Sequence, residues 1–165
     1  MTVREVRLED AAAISEIYRP YVLDTDITYE TVPPTPEQFA ERIKKTTERY
    51  PYVVCEDEGE VIGYAYASRA GERAAYEYSV SMSVYVRQDK RRLGAARAMY
   101  AVLLDELVKR GYHTAVALLS LPNDASEAFH ESFGFEKVGV FREMGWKHGA
   151  FHDQLLMQKM LRPTK

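Results

Sequence analysis

A strand–helix–strand unit in the second half of the chain restricts the fold more than any other sequence feature. Alternating side chains predict a long strand over residues 76–86, with Tyr76 and Tyr78 on its apolar side. A helix that continues to about Arg110 follows, and its predicted inward residues are Met99, Val102, Leu103, Leu107 and Val108. The continuous apolar run at residues 114–119 predicts a central strand. Because a helical crossover joins parallel strands, the sheet is expected to be mixed.

The other patterns place strands and helices around this unit. Further strands are predicted at residues 3–7, 52–56, 61–68, 136–146 and 152–160. Further helices are predicted from Glu9 to a stop or bend at Pro20, from Thr35 to about Arg49, and from Asn123 to Ser132. Thr35 and Gln38 fit a capping box around Pro36. The predicted fold class is α/β (α+β mixed), with a largely antiparallel central sheet and flanking helices in a single domain, residues 1–165.

Composition limits the partners and the compartment. The 165 residues include 22 Lys+Arg and 25 Asp+Glu, a net charge of −3, which gives no electrostatic basis for binding nucleic acid or an anionic membrane. No apolar run reaches the about 18 residues of a membrane span, and the N-terminus lacks a signal peptide pattern. The one cysteine, Cys55, lies in a predicted buried strand and favours a reducing compartment. We therefore expect a cytoplasmic protein.

The turn after the long strand has the features of an anion site. Lys90, Arg91, Arg92 and Arg97 surround a helix start made of Gly94, Ala95 and Ala96. Backbone N–H groups at a helix N-terminus lack internal partners, and small residues let a phosphate approach them. A solvated basic turn is the alternative. A nucleotide-binding P-loop is excluded, because no Gly-Lys-Ser/Thr sequence closes the turn.

Several motifs resemble one known family. Arg91-x-x-Gly94-x-Ala96 is similar to the pyrophosphate loop of the GNAT superfamily of N-acetyltransferases, and Asn123 with His130 and residues 133–135 resembles its later acyl-CoA motif. Other segments are similar to the phosphinothricin acetyltransferase group, at residues 49–51, 63–67, 73–76, 121–131 and 142–153. The similarity extends from about Val3 to Met160 and predicts a GNAT-type sheet.

The resemblance implies acetyl-CoA as the cofactor and assigns residues to it. Backbone groups of Val84, Tyr85 and Val86 would pair with the pantetheine arm, and the N–H of Val84 or Tyr85 is a candidate oxyanion donor. The pyrophosphate would be held by Arg91, Arg92, Leu93, Gly94, Ala95, Ala96 and Arg97. Asn123, which also suits a helix cap, and Ser126 would complete the cofactor site. His130 would protonate or orient the departing thiolate.

The resemblance also implies an acceptor pocket and a homodimer. The pocket would be lined by Tyr29, Glu30, Arg73, Tyr76 and Lys147. Arg73 suits a substrate carboxylate, because its guanidinium matches two oxygens, although a solvent-exposed arginine is the alternative. No metal is expected, since His148, His152 and Asp153 are too few ligands for a confident site.

One position departs from the group's pattern. Where the group has a glutamate on the strand before Val84, this chain has Ser81. A protonated amine must lose a proton before it attacks, and a serine hydroxyl is not a base near neutral pH. Glu77 lies four residues earlier on the predicted strand, about 13 Å away, and could act only through water. Otherwise the proton leaves through serines and water, the acceptor differs, or turnover is slow.

We predict an acetyl-CoA-dependent N-acetyltransferase for a small amine, an amino acid or a phosphinothricin- or methionine-sulfone-like analogue, by direct transfer in a ternary complex. Two alternatives remain open. The chain could be an acyl-CoA-binding module weakened in catalysis, for which Ser81 is the support. It could also acetylate a peptide or protein amine, which a closing hairpin with Lys147 would make less favourable.

Overall fold

A seven-stranded mixed sheet forms the centre of the protein, in a computed structural model that describes residues 1–162. The strands are β1 (Thr2–Glu5), β2 (Tyr52–Asp57), β3 (Glu60–Arg69), β4 (Ser79–Val86), β5 (Thr114–Ser120), β6 (Glu136–Lys147) and β7 (Ala150–Met160). Their order is β1-β2-β3-β4-β5-β7-β6. Only β4 and β5 pair in parallel, and every other neighbouring pair is antiparallel. The predicted mixed class is therefore confirmed.

Four helices cover the two faces of the sheet. They are α1 (Ala11–Asp24), α2 (Pro36–Thr47), α3 (Ala95–Lys109) and α4 (Asp124–Ser132). Residues of α1 and α2 pack with Tyr52, Val54 and Tyr64 on one face, called here the α1–α2 face. Residues of α3 pack on the opposite face, with Val80, Met82 and Ala117 among others. Among residues 1–162, no helix is both long and apolar enough to cross a membrane.

Three local predictions were wrong. Helix α1 does not stop at Pro20, one of the two outcomes predicted there, but continues to Asp24, because burial of Tyr21 and Val22 compensates for the hydrogen bond that proline cannot donate. In α3, Val102 and Val108 are 39% and 40% exposed, so the inward stripe is narrower than predicted.

The third error concerns the start of β4. The strand begins at Ser79 rather than at Tyr76, because residues 74–76 form a 3₁₀ turn in which the N–H of Glu77 donates to Ala74. Glu77 is therefore exposed in a turn rather than on the strand. Tyr76 and Tyr78 are exposed as well, so they do not line an apolar strand face.

Candidate active site

A cleft opens between β4 and β5, where the two strands separate. They pair only at Ser79, Val80 and Ser81, and beyond Ser81 each strand pairs only with its other neighbour. The cleft between the separated ends is lined by residues that include Ser83, Val84, Tyr100, Asn123, Ser126 and His130. A parallel pair that separates in mid-sheet leaves backbone groups of both strands available to a ligand.

The backbone of Val84 faces this cleft. Hydrogen bonding alternates along an antiparallel pair, and the N–H of Arg87 donates to Ile62 on β3. By the same alternation Tyr85 bonds to Tyr64, its partner in the register, while Val84 and Val86 point toward β5. The carbonyl of Val86 already accepts a hydrogen bond from the Tyr21 hydroxyl at 2.5 Å. Of the two candidate oxyanion donors, only the N–H of Val84 therefore faces the cleft.

The N-terminus of α3 has no side-chain cap. Its N-cap residue is Gly94, with a φ of +88° that suits glycine, and the first helical hydrogen bond runs from the N–H of Ala98 to Gly94. By contrast, Thr35 caps α2 and Asn123 caps α4. The N–H groups of Ala95, Ala96 and Arg97 are therefore free of helical partners, in the segment predicted to hold an anion.

Two of the predicted arginines pack against neighbouring elements. Arg91 lies 5.6 Å from the ring centroid of Tyr21, on α1. Arg97 donates to the Ser132 hydroxyl at 2.8 Å and lies over the ring of Phe133 at 4.9 Å, which links α3 to α4. Arg92 and Leu93 are exposed in the turn itself. The positive charges therefore surround the α3 N-terminus, and two of them are fixed in place.

His130 lies at the base of the cleft and is 4% exposed. Its Nδ1 is 2.8 Å from the Ser126 carbonyl oxygen, which can only accept, so Nδ1 carries the proton. Nε2 then accepts from the Tyr100 hydroxyl at 2.8 Å. Burial lowers the pKa of His130, and the bond to Ser126 only partly opposes this. The neutral ring has no free proton to donate, so the geometry favours an orienting role for His130 over a protonating one.

Asn123 and Ser126 meet at the start of α4. The Asn123 side chain accepts a hydrogen bond from the Ser126 N–H at 3.2 Å, which is the helix cap that the sequence predicts. Both residues also line the cleft. The cap fixes the first turn of α4, and the Ser126 carbonyl in that turn holds His130.

The segment between α1 and α2, residues 25–35, covers one side of the cleft and is tied to the β6–β7 hairpin. Lys147 is 3% exposed, and its ammonium donates to the Thr28 carbonyl at 2.8 Å. Burial lowers the pKa of Lys147, although Asp26 and Glu30 oppose this effect. The Tyr29 hydroxyl donates to Ser120 at 3.2 Å. Of the predicted acceptor residues, Lys147 and Tyr29 are therefore part of the connection that holds this segment.

Gly145 on β6 leaves room for the Tyr29 ring. A Cβ atom on Gly145 would lie 2.6 Å from the Tyr29 ring, which is closer than real contacts allow. The absence of a side chain at this position lets the Tyr29 ring lie directly on the hairpin backbone.

Glu30 is already paired. Arg42 of α2 donates to both its carboxylate oxygens, at 2.7 and 3.0 Å, and the Tyr18 hydroxyl donates to it at 3.0 Å. Burial raises the pKa of Glu30, but the bonds from Arg42 and Tyr18 more than offset this and hold the pKa below its usual range. Glu30 is thus an ionised carboxylate in segment 25–35, with part of its hydrogen-bonding capacity in use.

None of the predicted acceptor residues is among those that line the cleft, and neither are Ser81 and Glu77. Arg73, Tyr76 and Glu77 are all exposed in the β3–β4 connection, and the Tyr76 ring packs against Gly71. Ser81 is half-buried at the last β4–β5 pair, just below the point where the strands separate. Any role of Arg73 and Tyr76 in acceptor binding stays a prediction.

Tyr100 is the main cleft residue that the sequence did not identify. It is fully buried, lines the cleft and holds His130, and its pKa is raised by burial, so its hydroxyl keeps its proton. A tyrosine among the aliphatic residues of the inward α3 stripe was the available signal. The contact between the Thr28 and Tyr18 hydroxyls, which are 2.6 Å apart, was not predicted, because the sequence around Thr28 shows no helical or strand periodicity.

Comparison with known proteins gives one consistent result. The family described as "Acetyltransferase (GNAT) domain" matches residues 3–156. A phosphinothricin N-acetyltransferase of Streptomyces viridochromogenes is 36% identical, over 92% of this chain and 82% of its own length. An L-methionine sulfoximine/L-methionine sulfone acetyltransferase of Salmonella typhimurium is 33% identical, over 98% of this chain and 95% of its own. A Sinorhizobium meliloti GNAT superfamily phosphinothricin acetyltransferase, solved with acetyl-CoA, superposes with a TM-score of 0.94 at 37% identity, covering 99% and 93% of the two chains.

The buried, neutral His130 predicts a pH dependence of stability. Its pKa is lowered in the folded protein, so as the pH falls below about 6.5 the unfolded chain takes up a proton that the folded chain does not. The free energy of unfolding should therefore decrease more between pH 7.5 and 5.5 in the wild type than in His130→Gln, measured by urea denaturation. His113→Gln controls for the loss of a histidine elsewhere. Equal decreases in wild type and His130→Gln would contradict a buried neutral imidazole.

Proposed function

Because the chain belongs to the GNAT acetyltransferase family, we propose that it transfers the acetyl group of acetyl-CoA to the amino group of a small amino acid or analogue. The observation that carries the proposal is the β4–β5 cleft. β4, which lines the cleft, leads through the basic turn to the uncapped N-terminus of α3, and Ile27 of the tied segment 25–35 lines the cleft as well. Phosphinothricin, methionine sulfone and methionine sulfoximine are the first acceptors to consider.

The residues around the cleft suit the pantetheine and pyrophosphate of this cofactor. The free N–H groups at Ala95, Ala96 and Arg97 would bind a pyrophosphate at the positive end of the α3 dipole. The backbone of Val84 would pair with the pantetheine arm, as an added strand does. Acetyl-CoA supplies an activated acetyl group when it is bound, and the chain supplies position.

The acceptor would lie on the α1–α2 face. Ser81 and Ser83 give β4 a polar surface there, and Tyr29 and Lys147 close the region with the segment 25–35. A segment held beside this surface by two hydrogen bonds favours a small amine over a peptide or protein amine.

Two parts of the cleft bear on the charge that develops during acetyl transfer, the N–H of Val84 and the His130–Tyr100 pair. The N–H of Val84 faces the point where negative charge would develop, which is the place for an oxyanion donor. His130 cannot donate its only ring proton without losing the Ser126 carbonyl, but its Nε2 orients the Tyr100 hydroxyl. Burial holds the proton on the Tyr100 hydroxyl, so we assign both His130 and Tyr100 positioning roles, and the departing thiolate takes its proton from water.

Strand β4 carries no carboxylate that could remove the proton from the acceptor amine. Glu77 is exposed in a turn, and Ser81 stands where the related group has a glutamate. We propose that the proton leaves through Ser83, Ser120 and water, both serines being in the cleft lining. This route predicts turnover limited by deprotonation.

Thiol release from acetyl-CoA tests the activity directly. We expect turnover with at least one of methionine sulfone, methionine sulfoximine and phosphinothricin, and none with a polyamine or a lysine peptide, because the relatives named above acetylate amino-acid analogues. Tyr100→Phe should reduce kcat by up to about 10²-fold, because it removes the hydroxyl that holds the His130 ring in position. Tight cofactor binding with no turnover across this panel would favour the binding-module alternative.

Ser81→Glu tests the missing base. A carboxylate at this position should raise kcat by about tenfold or more and shift the rise of the pH–rate profile to lower pH, because deprotonation would no longer depend on water. Ser81→Gln, which has the same size without the base, is the matched control. Equal changes in the two variants would show that deprotonation does not limit turnover.

We also propose a homodimer. Large apolar side chains are exposed on β5–β7, among them Leu118, Val140, Phe141, Met144, Trp146 and Phe151. Trp146 and Phe151 are 61% and 60% exposed, and their rings lie 4.8 Å apart at the hairpin. Exposed apolar groups in this number mark an interaction surface. Sedimentation at micromolar concentration should give a dimer, and Phe151→Glu a monomer; a wild type that sediments only as a monomer would refute this.

A further inference from the structure

Helix α4, which carries His130, buries little of its own surface. His130 is the only buried residue of the helix. No backbone hydrogen bond of residues 124–132 reaches another helix or strand within residues 1–162, and the cap from Asn123 acts within α4 itself. A helix with one buried side chain gains little from apolar packing. The position of His130 in the cleft therefore depends on the side chains that contact α4 from neighbouring elements.

Arg97 of α3 contacts the C-terminal end of α4. Its guanidinium donates to the Ser132 hydroxyl at 2.8 Å, and that hydroxyl in turn donates to the Phe129 carbonyl at 2.6 Å. The same guanidinium lies over the rings of Phe133 and Phe129, 4.9 and 5.8 Å from their centroids. A hydrogen bond and a cation–π contact act on one planar group, which restricts its position more than either contact alone.

The two rings that Arg97 contacts belong to the aromatic cluster around His130. Phe129 lies 5.3 Å from the His130 ring and 5.0 Å from the Tyr100 ring, and Phe133 lies 5.5 Å from the Tyr100 ring. Tyr100 follows Arg97 by three residues, so both project from the same side of α3. Helices α3 and α4 are thus joined at two places, by Tyr100 and His130 in the cleft and by Arg97 at the protein surface.

A second cation that contacts α4 holds it less firmly. Lys137 of β6 pairs with Glu127 at 3.2 Å and with Glu131 at 3.6 Å, and its side chain is 54% exposed. Exposed ion pairs between flexible side chains contribute little. Arg97 is also exposed, but its planar group lies on two half-buried rings. Of the two cations, Arg97 therefore restricts the position of α4 more.

The main chain of Arg97 belongs to the anion site. Arg97 is the third residue of α3 after the N-cap Gly94, so its N–H is one of those without a helical partner. Its side chain, by contrast, is engaged with α4. The cofactor would be held at two points, with its pyrophosphate at the start of α3 and its thioester beside His130. The relative position of α3 and α4 therefore sets the distance between these points.

We propose that the Arg97 side chain is a positioning group rather than a phosphate ligand. It holds α4 against α3, so that a pyrophosphate bound at the α3 N-terminus places the thioester at the His130–Tyr100 pair. A displacement of about 1 Å between reacting groups can lower kcat by about 10²-fold. The inference rests on the proposed function, because it concerns the position of the same cofactor.

Arg97→Met separates catalysis from cofactor binding. We expect kcat to fall by about fivefold or more, because His130 loses its fixed position, while the Kd for coenzyme A, measured by titration calorimetry, stays within about threefold. Arg97→Lys keeps the charge but not the planar group, so kcat should still fall by about threefold or more. Arg110→Met, at an exposed position at the end of α3, controls for the loss of an arginine and should leave both values within about twofold.

A phosphate ligand would give a different pattern. Loss of a direct contact between a guanidinium and a phosphate should raise the Kd for coenzyme A by about tenfold or more, and leave kcat at saturating acetyl-CoA unchanged. That pattern in Arg97→Met would overturn the proposal. Wild-type kcat in Arg97→Lys would overturn it as well, because the charge alone would then be sufficient.

Ser132→Ala tests the same contact from α4, at a residue outside the anion site. It removes the hydroxyl that accepts from Arg97, so kcat should fall, while the Kd for coenzyme A stays unchanged. In the double variant with Arg97→Met the two reductions should not multiply, because both changes break one contact. Reductions that multiply would contradict a shared contact.

Nitrogen-15 NMR of the histidine side chains reports the position of His130 without turnover. In the wild type the Nδ1 proton is buried and bonded to the Ser126 carbonyl, so its signal should be visible, and His130→Gln should remove it. The signal should broaden or disappear in Arg97→Met, while a cooperative thermal transition shows that the variant is folded. An unchanged signal would overturn the positioning role. A wild type with this Arg97-dependent signal but no turnover would refute the proposed activity and still support the positioning role.

Discussion

The separation of β4 from β5 after Ser81 is the constraint on which the rest of the site depends. If β4 and β5 stayed hydrogen-bonded along their full length, none of their backbone groups would be free for a ligand. The N–H of Val84 would then donate within the sheet. The separated ends are supported from below by rings of α3 and α4, where Tyr100 contacts both Phe129 and His130. The two helices thus keep the strands apart and supply the polar groups at the base of the opening.

On the other side of the site, hydrogen bonds from polar side chains, rather than apolar packing, hold segment 25–35 in place. Segment 25–35 has no regular structure, yet Lys147 fixes it to the hairpin, Tyr29 fixes it to Ser120 of β5, and Arg42 of α2 holds Glu30. A buried ammonium is costly unless it is bonded, so the loss of one of these partners would leave an uncompensated charge. The segment is therefore positioned by groups that also set the electrostatics of the acceptor region.

The sequence predicted the order of elements and the positions along the chain where the site lies, because these depend on local periods and caps. Thr35 and Asn123 cap their helices as their spacing indicates. The features that the sequence did not predict depend on tertiary packing. Pro20 remains inside α1 because its neighbours are buried, and Glu77 lies in a turn because a 3₁₀ segment delays β4. The hydrogen bond between Tyr100 and His130 joins two helices that are distant in sequence, so no local pattern could indicate it.

The position of Trp146 has a practical consequence for spectroscopy. It is the only tryptophan among the 165 residues, and it is 61% exposed at the hairpin rather than packed in the core. In the monomer its emission will already resemble that of a solvated indole, so intrinsic fluorescence will be a poor indicator of unfolding of the monomer, while the proposed dimer will cover the indole. The same probe will respond to anything that covers the hairpin, whereas the many buried tyrosines report the core through near-ultraviolet circular dichroism. Folding and surface association can thus be followed in one sample by two separate optical signals.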